Sequence, residues 1–588
     1  MFTNNKAAYY LKAATSVILL LLLCRWTWVV FSRSAGEYTD YLLYTTGRNT
    51  IIDKASYPFI PTAFIALKII LILASIGLGY HVYRIIKHDV PLLHSITNKY
   101  FYGLAEAIIN IPRFFASLDA GIRMLFLLLL IAQGAVLAYL LFYMPYHYDE
   151  MLNYMSFSGR GLLADISYYP VPNNHILYSI SASLSLMSKL DTITAIRLPN
   201  VLISFFTTYF FFKTVSQVIN PKVALIASVV MVFSFPFIMY NVQGRGYAFF
   251  LFFTVLLLYA FTQLIAGNRI HRYTTIYAAA AILGAYTIPT FIYVLIPFSF
   301  VLFIFSLFNK DIFSVLSFIR LHIAIGIITF LLYLPLFLVN GWDVFQKAEE
   351  LGVKPIQPPY TSENVKKHIA DTWQFLVSGI ILPYYVIGLL AIAPFIYAYR
   401  RQQLQKYFAI ILSFLLVSPL LIITLQKSIP FPRTWMHIIV PIGIGAGIII
   451  GGIIAFAAKK REKVQTVTIA ILISIYSIIF IKRIESNYRS SYAVDYTVRD
   501  YVRFLQEKLP AIHTIQRTND LSFYLAEDLQ FEAHRRKMSI LLQVISEVDA
   551  QTAELIISTP DANFPIGNNY ELVPVDNPYF QVYIRKGL

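Results

Sequence analysis

The chain has 588 residues, of which 58% are hydrophobic and 13% are charged, and its mean hydropathy is +0.64. This composition excludes a soluble protein, and the length exceeds that of a single anchor, so it predicts a polytopic membrane protein. The formal net charge of +16 first reports orientation, because Lys and Arg collect in cytoplasmic loops. A nucleic-acid partner is the weaker explanation. The single cysteine, Cys24, excludes an internal disulfide framework and a cysteine-based zinc site.

Two apolar runs open the chain. Residues 13–31 follow Lys6 and Lys12, which predicts a cytoplasmic N-terminus, and they lack a small-residue cleavage site, so we expect a retained helix. Residues 61–80 form the second crossing and lead to a basic segment with an interrupted apolar pattern. We expect cytoplasmic or interfacial helices there and assign residues 1–122 to an N-terminal part.

The third run, residues 124–143, is followed by two adjacent carboxylates, Asp149 and Glu150, which we predict to lie at the outer membrane surface. An acid pressed against hydrocarbon costs roughly 2.5–3.5 kcal/mol on insertion scales, so such groups tend to serve chemistry or ion handling. The alternative is that these residues simply begin a solvated loop.

Residues 176–190 are apolar but short, and five serines interrupt them. Because about 20 apolar residues are needed for a crossing, we predict a helix that lies in the outer interface. The basic residues Lys213 and Lys222 support this interpretation, since they would fall outside if the serine-rich helix crossed.

Apolar runs and basic turns then alternate as far as residue 481. The predicted crossings are residues 198–212, 224–240, 248–265, 275–288, 291–308, 321–339, 375–397, 408–425, 435–456 and 464–481. With the first three runs, the positive-inside rule gives about thirteen crossings and an external C-terminal part. We expect the catalytic module in residues 123–483, with the polar loop 340–371 on the outside.

The composition from about residue 484 onward is that of a soluble domain. Helical periodicity at residues 495–509 and through the 520s to 540s, with strands at 513–517, 555–558 and 579–585, predicts a small extracytoplasmic α/β domain, residues 484–588. It contains no Gly-rich phosphate loop and therefore no nucleotide signature.

Three polar clusters fall on the outer face in this topology. They are His147, Asp149 and Glu150, followed by Arg160 and Asp165; the stretch Asn173, Asn174 and His175 that opens the interfacial helix; and Arg245 and Arg433 in short outer turns. Carboxylates and arginines that converge at a lipid–water boundary suit a substrate with an apolar tail and an anionic head.

The order of these pieces over residues 124–457 resembles the GT-C glycosyltransferases that use polyprenyl-phosphate sugars, the group of protein O-mannosyltransferases and lipid A aminoarabinose transferases. The matching motifs are Asp149-Glu150, Asn174-His175-Ile176-Leu177-Tyr178, Arg197-Leu198-Pro199, Arg245-Gly246-Tyr247, and Arg433 to Pro441. Ile176 replaces a usual proline, and Thr434 and Trp435 alter the late motif. These departures leave the acceptor class and the pocket shape open.

The resemblance implies a mainly α GT-C membrane bundle and an inverting transfer of sugar from a polyprenyl-phosphate donor to an acceptor hydroxyl, at the outer face of the cytoplasmic membrane. A phosphodiester leaves without strong protonation, so one general base suffices. Asp149 is the candidate base. Glu150 is predicted to orient Asp149, to bind sugar hydroxyls or to share a divalent ion with His147 or His175.

The remaining site residues are predicted to bind substrate. Arg245 and Arg433 suit the leaving phosphate, because guanidinium binds phosphate in a bidentate manner and stays charged. The other predicted contacts are His147, Asn174, His175 and Tyr247. Each has a structural alternative: a carboxylate paired only with arginine, a His that caps a helix, an Arg that anchors topology, or a Tyr in the interfacial belt. No spacing forces a metal site, so metal dependence is open.

Two other function classes stay open at this point. A transporter or flippase of a lipid-linked sugar usually places ionisable groups near the middle of the membrane, whereas most of the notable charges here fall at outer ends. A non-catalytic scaffold related to the enzymes is the third alternative. The sequence names neither the sugar nor the acceptor.

Overall fold

The computed structural model describes residues 16–17, 20–21, 23–38, 61–86, 110–169, 173–340, 360–377, 386–458, 461–491, 493–505, 507–517, 522–536, 538, 540–544, 553–558, 566–575 and 579–588. Several predicted features lie wholly or partly outside these residues. They are the crossing at 13–31, most of the basic segment after the second crossing, the outer loop at 341–359, and residues 378–385 of the crossing at 375–397.

The protein is mainly helical, as predicted. In chain order the helices are α1 (Pro61–Ile86), α2 (Ile111–Ala116), α3 (Ala120–Tyr143), α4 (Tyr148–Ser156), α5 (Leu162–Ser167), α6 (Ile176–Leu186), α7 (Thr192–Val218), α8 (Pro221–Val232), α9 (Phe235–Val242), α10 (Tyr247–Ile265), α11 (Ile270–Thr287), α12 (Ile292–Phe308), α13 (Val315–Asn340), α14 (Ser362–Val377), α15 (Val386–Ala398), α16 (Gln403–Gln426), α17 (Ile439–Ala457), α18 (Glu462–Ser491), α19 (Ala493–Leu505) and α20 (Ser522–Arg535). Short 3₁₀ helices occur at Ser158–Arg160, Pro289–Phe291, Pro432–Ile438 and Leu509–Ala511.

Nine helices in the described ranges are long and apolar enough to cross a membrane: α1, α3, α7, α10, α12, α13, α16, α17 and α18. The number rises to ten if α8 and α9, which meet at a 64° bend, form one broken span. The chain is therefore a multi-pass membrane protein. The predicted figure of about thirteen crossings is not confirmed, and α11 and the described part of α15 are not among the spans.

Short polar residues start several spans in the expected way. Asp119 caps α3 by accepting a hydrogen bond from the backbone N–H of Gly121 at 2.9 Å, and Asp191 caps α7 through Ile193 at 3.1 Å. An N-cap carboxylate satisfies donors that would otherwise have no partner at the helix start. These caps set where the apolar runs become helix.

The spans differ in how deeply they lie in the bundle. The apolar window of α10 is 94% buried and that of α7 is 61% buried, so these helices form the centre. The corresponding windows of α13 and α18 are only 11% and 17% buried. Apolar helices that stay this exposed are lipid-facing at the periphery.

The segment between α3 and α7 contains only short helices. The longest is α6 with 11 residues, a length of about 16 Å at 1.5 Å per residue, which is too short for a bilayer core of about 30 Å. The prediction that this serine-rich helix is not a crossing is confirmed. These short elements lie at one end of the bundle, where the end of α3 meets the starts of α7 and α10.

The C-terminal part folds into a five-stranded sheet. Its strands are β1 (Thr514–Arg517), β2 (Leu541–Val544), β3 (Leu555–Ser558), β4 (Tyr570–Leu572) and β5 (Gln581–Arg585), in the order β2-β1-β3-β5-β4. β1 is parallel to β2 and β3, and β5 is antiparallel to β3 and β4. The predicted α/β sheet is confirmed, but β2 corrects the expectation of helix into the 540s.

This C-terminal part contacts the short helices of the bundle. The ring of Phe531 packs edge-on against Tyr146 and Tyr154, with centroid distances of 5.4 Å in both pairs. Arg535 pairs with Asp191 at 3.0 Å. The sheet domain therefore sits over the end of the bundle that contains Asp149 and Glu150. The domain boundaries predicted at residues 122 and 483 stay predictions. Helix α18 contains residue 483 and continues to Ser491.

Candidate active site

A buried ion pair forms the base of the site. The side chains of Glu150 and Arg197 are both 0% exposed, and the Arg197 guanidinium donates two hydrogen bonds to the Glu150 carboxylate. The other Arg197 donors reach the carbonyl oxygens of Leu141, Met144 and Pro145 at 2.9–3.2 Å. A buried charge needs such complete partnering, because an unpaired one costs several kcal/mol. The pair joins the start of α7 to the start of α4, and the carbonyl contacts of Arg197 add the end of α3.

Glu150 also closes the start of α4 and the turn before α10. It accepts hydrogen bonds from the backbone N–H of His147 at 3.0 Å and of Gly244 at 2.8 Å. Burial raises the pKa of Glu150, but the Arg197 guanidinium and these N–H donors outweigh burial and hold the pKa below its usual value. A Cβ on Gly244 would lie 2.7 Å from the Tyr178 hydroxyl, so only glycine fits here.

Asp149 lies between two arginines from distant turns. Arg245 donates a hydrogen bond from Nη1 to Oδ2 of Asp149, and Nη1 of Arg433 lies 3.6 Å from the same oxygen. Burial raises the pKa of Asp149, but the neighbouring positive charges, of which Arg245 acts most strongly, together outweigh burial, and the pKa falls to about 2. The Asp149 side chain is 18% exposed. The group is therefore an ionised carboxylate with one side open.

Arg245 is held in place by the protein itself. Its Nη2 donates to Oδ1 of Asn173 at 2.9 Å, and Nδ2 of Asn173 donates to the carbonyl oxygen of Asp149 at 2.9 Å. The following backbone N–H, of Gly246, donates to Nδ1 of His175 at 2.8 Å. A Cβ on Gly246 would lie 2.7 Å from that of His175. The Gly-Arg-Gly turn thus brings His175 and Arg245 together.

Arg433 is the more available of the two arginines. Its side chain is 29% exposed, against 4% for Arg245. The guanidinium lies over the ring of Phe431 at 4.4 Å and forms a hydrogen bond with the side chain of Tyr247. The Tyr247 ring also packs edge-on against His175, with centroids 5.2 Å apart. Tyr247 therefore joins both arginine turns.

His147 caps α4 and is neutral. Its Nδ1 accepts a hydrogen bond from the backbone N–H of Asp149 at 3.1 Å, and burial lowers the pKa of His147 to about 4. The Nδ1 atom also lies 3.8 Å from Oδ2 of Asp149. His175 is likewise neutral, because burial lowers its pKa well below the usual value.

Asn174 points away from Asp149. Its Nδ2 donates to the carbonyl oxygens of Asp165 and Tyr168 at 2.7 and 2.9 Å, and its Oδ1 accepts a hydrogen bond from Ser179 at 2.9 Å. The side chain orders the loop before α6, whereas its neighbour Asn173 reaches Asp149 and Arg245. A substrate contact by Asn174 stays a prediction.

The other two members of the first cluster have local partners. Asp165 bonds to the Ser183 hydroxyl, and burial raises the pKa of Asp165 to about 8. Nε of Arg160 donates to the carbonyl oxygen of Met155 at 2.7 Å. Both contacts lie within the segment between α3 and α7.

One carboxylate at the site was missed by the sequence reasoning. Asp495, in the first turn of α19, accepts a hydrogen bond from the backbone N–H of Tyr148. Burial, with smaller contributions from the charges of Glu150 and Asp149, raises the pKa of Asp495 to about 7. Nothing in the local sequence signals this contact, since an acid in the first turn of a solvated helix is ordinary. For Arg197, the sequence predicts a place in a motif but not the ion pair with Glu150.

The residues around Asp149 do not suit a divalent cation. Across the described part of the chain, no group of three or more His, Cys, Asp or Glu side chains could hold one. Two guanidinium groups already place positive charge beside the Asp149 carboxylate. The arrangement fits an anion better than a metal ion.

Comparisons with known proteins agree with the fold. Residues 166–341 match the model of the Alg9-like mannosyltransferase family. The fold is similar to that of ArnT from Cupriavidus metallidurans in the apo state, a GT-C protein, with a TM-score of 0.51 and 12% identity over 78% of this chain and 97% of that one. The chain is a membrane glycosyltransferase with the GT-C fold. The prediction from the five ordered motifs is confirmed.

A second structure of ArnT and the curated proteins provide two further comparisons. The structure of the same ArnT bound to undecaprenyl phosphate gives a TM-score of 0.45 and 12% identity, with the same 78% and 97% coverage. No curated protein matches the sequence. The family match contains His175, Arg197 and Arg245 of the enzyme, whereas Asp149 precedes it and Arg433 follows it. The fold brings all five residues together.

Proposed function

We propose that the enzyme transfers a sugar from a polyprenyl-phosphate donor to an acceptor hydroxyl on the extracytoplasmic side of the membrane, with inversion. The observation that carries the proposal is the Asp149 carboxylate between Arg245 and Arg433 at one end of the bundle. A lipid phosphate needs fixed positive charge at a membrane boundary, and a nucleophilic hydroxyl needs a nearby base. The basic turns of the sequence support the extracytoplasmic side.

The two arginines differ in role in this proposal. Arg245 is committed to Asp149 and Asn173, so it fixes the carboxylate. Arg433 is more exposed and only 3.6 Å from Asp149, so it can turn to a phosphate oxygen without breaking a short hydrogen bond. We assign the leaving phosphate chiefly to Arg433. The Tyr247 hydroxyl, which bonds to Arg433, steadies the guanidinium.

Asp149 becomes a better base when the donor binds. A carboxylate with a pKa of about 2 holds a proton weakly while both arginines face it. A donor phosphate draws the Arg433 guanidinium away from the carboxylate and so raises the pKa of Asp149. The acceptor oxygen then bonds to the anomeric carbon, its proton passes to Asp149, and the bond from that carbon to the phosphate oxygen breaks. The donor therefore binds before the acceptor is activated.

The neighbours of Asp149 position it. Glu150 has four hydrogen bonds from Arg197, His147 and Gly244, which leaves little capacity for substrate. We therefore assign Glu150 a positioning role. His147 and His175 are neutral and bond to backbone N–H groups, so they hold the carboxylate and the Gly-Arg-Gly turn without adding charge.

The proposal is tested with the purified enzyme in liposomes. A panel of radiolabelled polyprenyl-phosphate sugars is added, and release of the free lipid phosphate is measured together with movement of intact donor between leaflets. We expect release of lipid phosphate from one donor of the panel, at a rate that depends on an added acceptor. Movement of intact donor without release would assign the chain to transport instead.

A further inference from the structure

The segment between α3 and α7 contains a buried carboxyl group that takes no part in the proposed transfer. Asp165 lies on α5 and is 0% exposed. Its Oδ2 atom contacts the hydroxyl of Ser183 on α6, and among the described residues its Oδ1 atom has no hydrogen-bond partner. A carboxylate oxygen that lacks both water and a donor has a large desolvation cost, so this environment favours the neutral acid.

The Ser183 hydroxyl indicates which group holds the proton. Its oxygen lies 2.9 Å from the carbonyl oxygen of Ser158, and it also contacts Oδ2 of Asp165. A hydroxyl has one proton to donate, and a carbonyl oxygen can only accept. If Ser183 donates to Ser158, the hydrogen bond with Asp165 needs a proton from the carboxyl group itself. Protonated Asp165 therefore satisfies both contacts, whereas an ionised carboxylate would compete with the carbonyl for one proton.

The elements packed around Asp165 do not hold it in the ionised form. The nearby cation is Arg160 in the 3₁₀ helix Ser158–Arg160, and its Nε donates to the carbonyl oxygen of Met155. Burial raises the pKa of Asp165 to about 8, and among the described groups only the Ser183 hydrogen bond opposes this rise. The other titratable side chains on the packed elements are phenols: Tyr178 on α6, Tyr286 on α11 and Tyr333 on α13.

A continuous set of buried amides and hydroxyls connects this acid with the active site. Nδ2 of Asn174 donates to the backbone carbonyl of Asp165 at 2.7 Å, and its Oδ1 accepts from the Ser179 hydroxyl at 2.9 Å. Nδ2 of Asn153 donates to the same hydroxyl at 3.0 Å and to the carbonyl oxygen of Asn173 at 3.2 Å. The three asparagines and Ser179 are at most 6% exposed, so bulk water does not replace a lost contact.

Asn173 is the member of this set that contacts Asp149. Its Nδ2 donates to the carbonyl oxygen of Asp149 and its Oδ1 accepts from Arg245, both at 2.9 Å. Asn173 keeps this place only while the loop before α6 keeps its shape. The Asp165 carboxyl fixes the loop on both sides, because its contact with Ser183 joins α5 to α6.

We propose that Asp165 works as a neutral carboxylic acid and is a positioning residue for Asp149. Its proton lies on Oδ2 and is donated to Ser183, which in turn donates to the Ser158 carbonyl. Ionisation removes that proton, places a charge in the protein interior and disturbs the loop that directs Asn173 to Asp149. The effect on sugar transfer rests on the proposed function, whereas the protonation state of Asp165 is independent of it.

Infrared difference spectroscopy of wild type and Asp165→Asn tests the protonation state directly. The asparagine amide keeps the shape of the acid and a donor for Ser183, but it cannot ionise. We expect a carboxylic C=O band in wild type at pH 7 that Asp165→Asn lacks. The band should disappear from wild type as the pH rises through about 8. If no such band distinguishes the two proteins at pH 7, the proposal is wrong.

The pH dependence of transfer tests the positioning role. Asp165→Asn should match wild type at pH 7. At pH 9 only about a tenth of Asp165 stays neutral, so the wild-type kcat should be about tenfold lower than that of Asp165→Asn. Asp495 titrates in both proteins, so their ratio isolates Asp165. Asp165→Leu has no donor and should lower kcat about 10–100-fold at pH 7, with little change in the donor KM. Equal losses in Asp165→Asn and Asp165→Leu would overturn the proposal, because they would show that the charge is needed.

Ser183→Ala and Ser181→Ala are a matched pair on α6. The Ser183 hydroxyl joins Asp165 to Ser158, whereas the Ser181 hydroxyl bonds to the Leu177 carbonyl of its own helix at 2.8 Å. We expect faster backbone hydrogen exchange in α4 and a lower kcat in Ser183→Ala but not in Ser181→Ala. This pair also replaces Asp165→Leu if that variant does not fold. Identical exchange in both serine variants would contradict the positioning role.

Hydrogen exchange and the infrared band need no substrate. If none of the donors is turned over, the proposed function fails, while these two measurements still decide whether Asp165 is neutral and whether it holds α4 in place.

Discussion

The two ends of α7 treat buried charge in opposite ways. At the Asp149 end, Arg197 faces Glu150 and Arg245 faces Asp149, so cations and carboxylates alternate. At the other end of α7, the Lys213 ammonium lies 5.1–5.6 Å from the ring centroids of Phe114, Tyr209 and Tyr259, and no carboxylate among the described residues pairs with it. A network of paired charges holds the Asp149 carboxylate rigidly in position. A buried cation that faces aromatic rings is stabilised less than a paired one, because ring faces offset only part of the cost of removing it from water.

The largest effect on stability is expected at the paired end. Arg197→Met leaves the buried Glu150 carboxylate without its partner, which costs about 3–5 kcal/mol. We expect a sharp fall in melting temperature and in the yield of folded protein. The double variant Arg197→Met with Glu150→Gln recovers part of the loss, because the uncompensated charge is gone. Equal losses in the single and double variants would contradict a coupled pair.

Arg433 tests the assignment of the phosphate. Loss of one charge-assisted hydrogen bond costs about 1.5–3 kcal/mol, so Arg433→Ala should raise the donor KM roughly 10–100-fold. The acceptor KM changes less, because the arginine serves the leaving group. Arg401→Ala, an exposed arginine that lies over the Tyr397 ring, is the control. Unchanged donor kinetics in Arg433→Ala would remove the phosphate contact.

Asp495 makes the paired end sensitive to pH. Its folded pKa of about 7 exceeds the usual 3.8, so the folded protein loses stability as pH rises through this window and the unfolded chain ionises first. Asp495→Asn cannot ionise and should melt roughly 2–4 °C higher than wild type at pH 8. The gain should vanish at pH 3, where Asp495 is protonated in both states.

A neighbour on the same helix is the control for Asp495. Asp500 is 54% exposed and pairs with Arg499 at 3.3 Å. The variant Asp500→Asn should leave the melting temperature nearly unchanged at each pH, since exposed pairs contribute little. The same shift in both variants would show that net charge, and not the position beside Glu150, sets the pH response.

The smallest effect is expected at the Lys213 end. Lys213→Met removes a buried ammonium and keeps the length of the side chain. In pure phosphatidylcholine we expect equal or greater stability, by on the order of 1 kcal/mol, the opposite sign to Arg197→Met. Thermal melting of both variants in one preparation checks this contrast. A large loss in Lys213→Met under these conditions would mean that the chain itself supplies the missing partner.

Much of the bundle could be predicted because hydropathy and caps are local. The run that ends before His147 appears as α3, with Asp119 at its cap. The number of crossings could be predicted less accurately than the positions of the helices. α8 and α9 meet at a 64° bend, with Pro236 in the first turn of α9, whereas the apolar pattern is continuous. Strand β2 could not be predicted, because its four residues come shortly after a stretch with helical periodicity.

The site was predictable in its charged residues and not in their partners. Asp149, Arg245 and Arg433 stand out as charges at the ends of apolar runs. Two of the site's contacts form only in the tertiary structure. Glu150 pairs with Arg197, 47 positions away, and Asp495 contacts Tyr148 from the C-terminal part. Asn173 and Asn174 carry the same amide, and only the turn before α6 decides which one faces Asp149.

The most direct test of the central claim is the rate of sugar transfer by Asp149→Asn. Asp119→Asn is the matched control, because Asp119 caps the other end of α3 and asparagine caps equally well. General base catalysis contributes about 10²–10⁴-fold, so we predict a loss of this size in Asp149→Asn, with folding and donor binding retained, and no loss in Asp119→Asn. Transfer by Asp149→Asn at the wild-type rate would contradict the account.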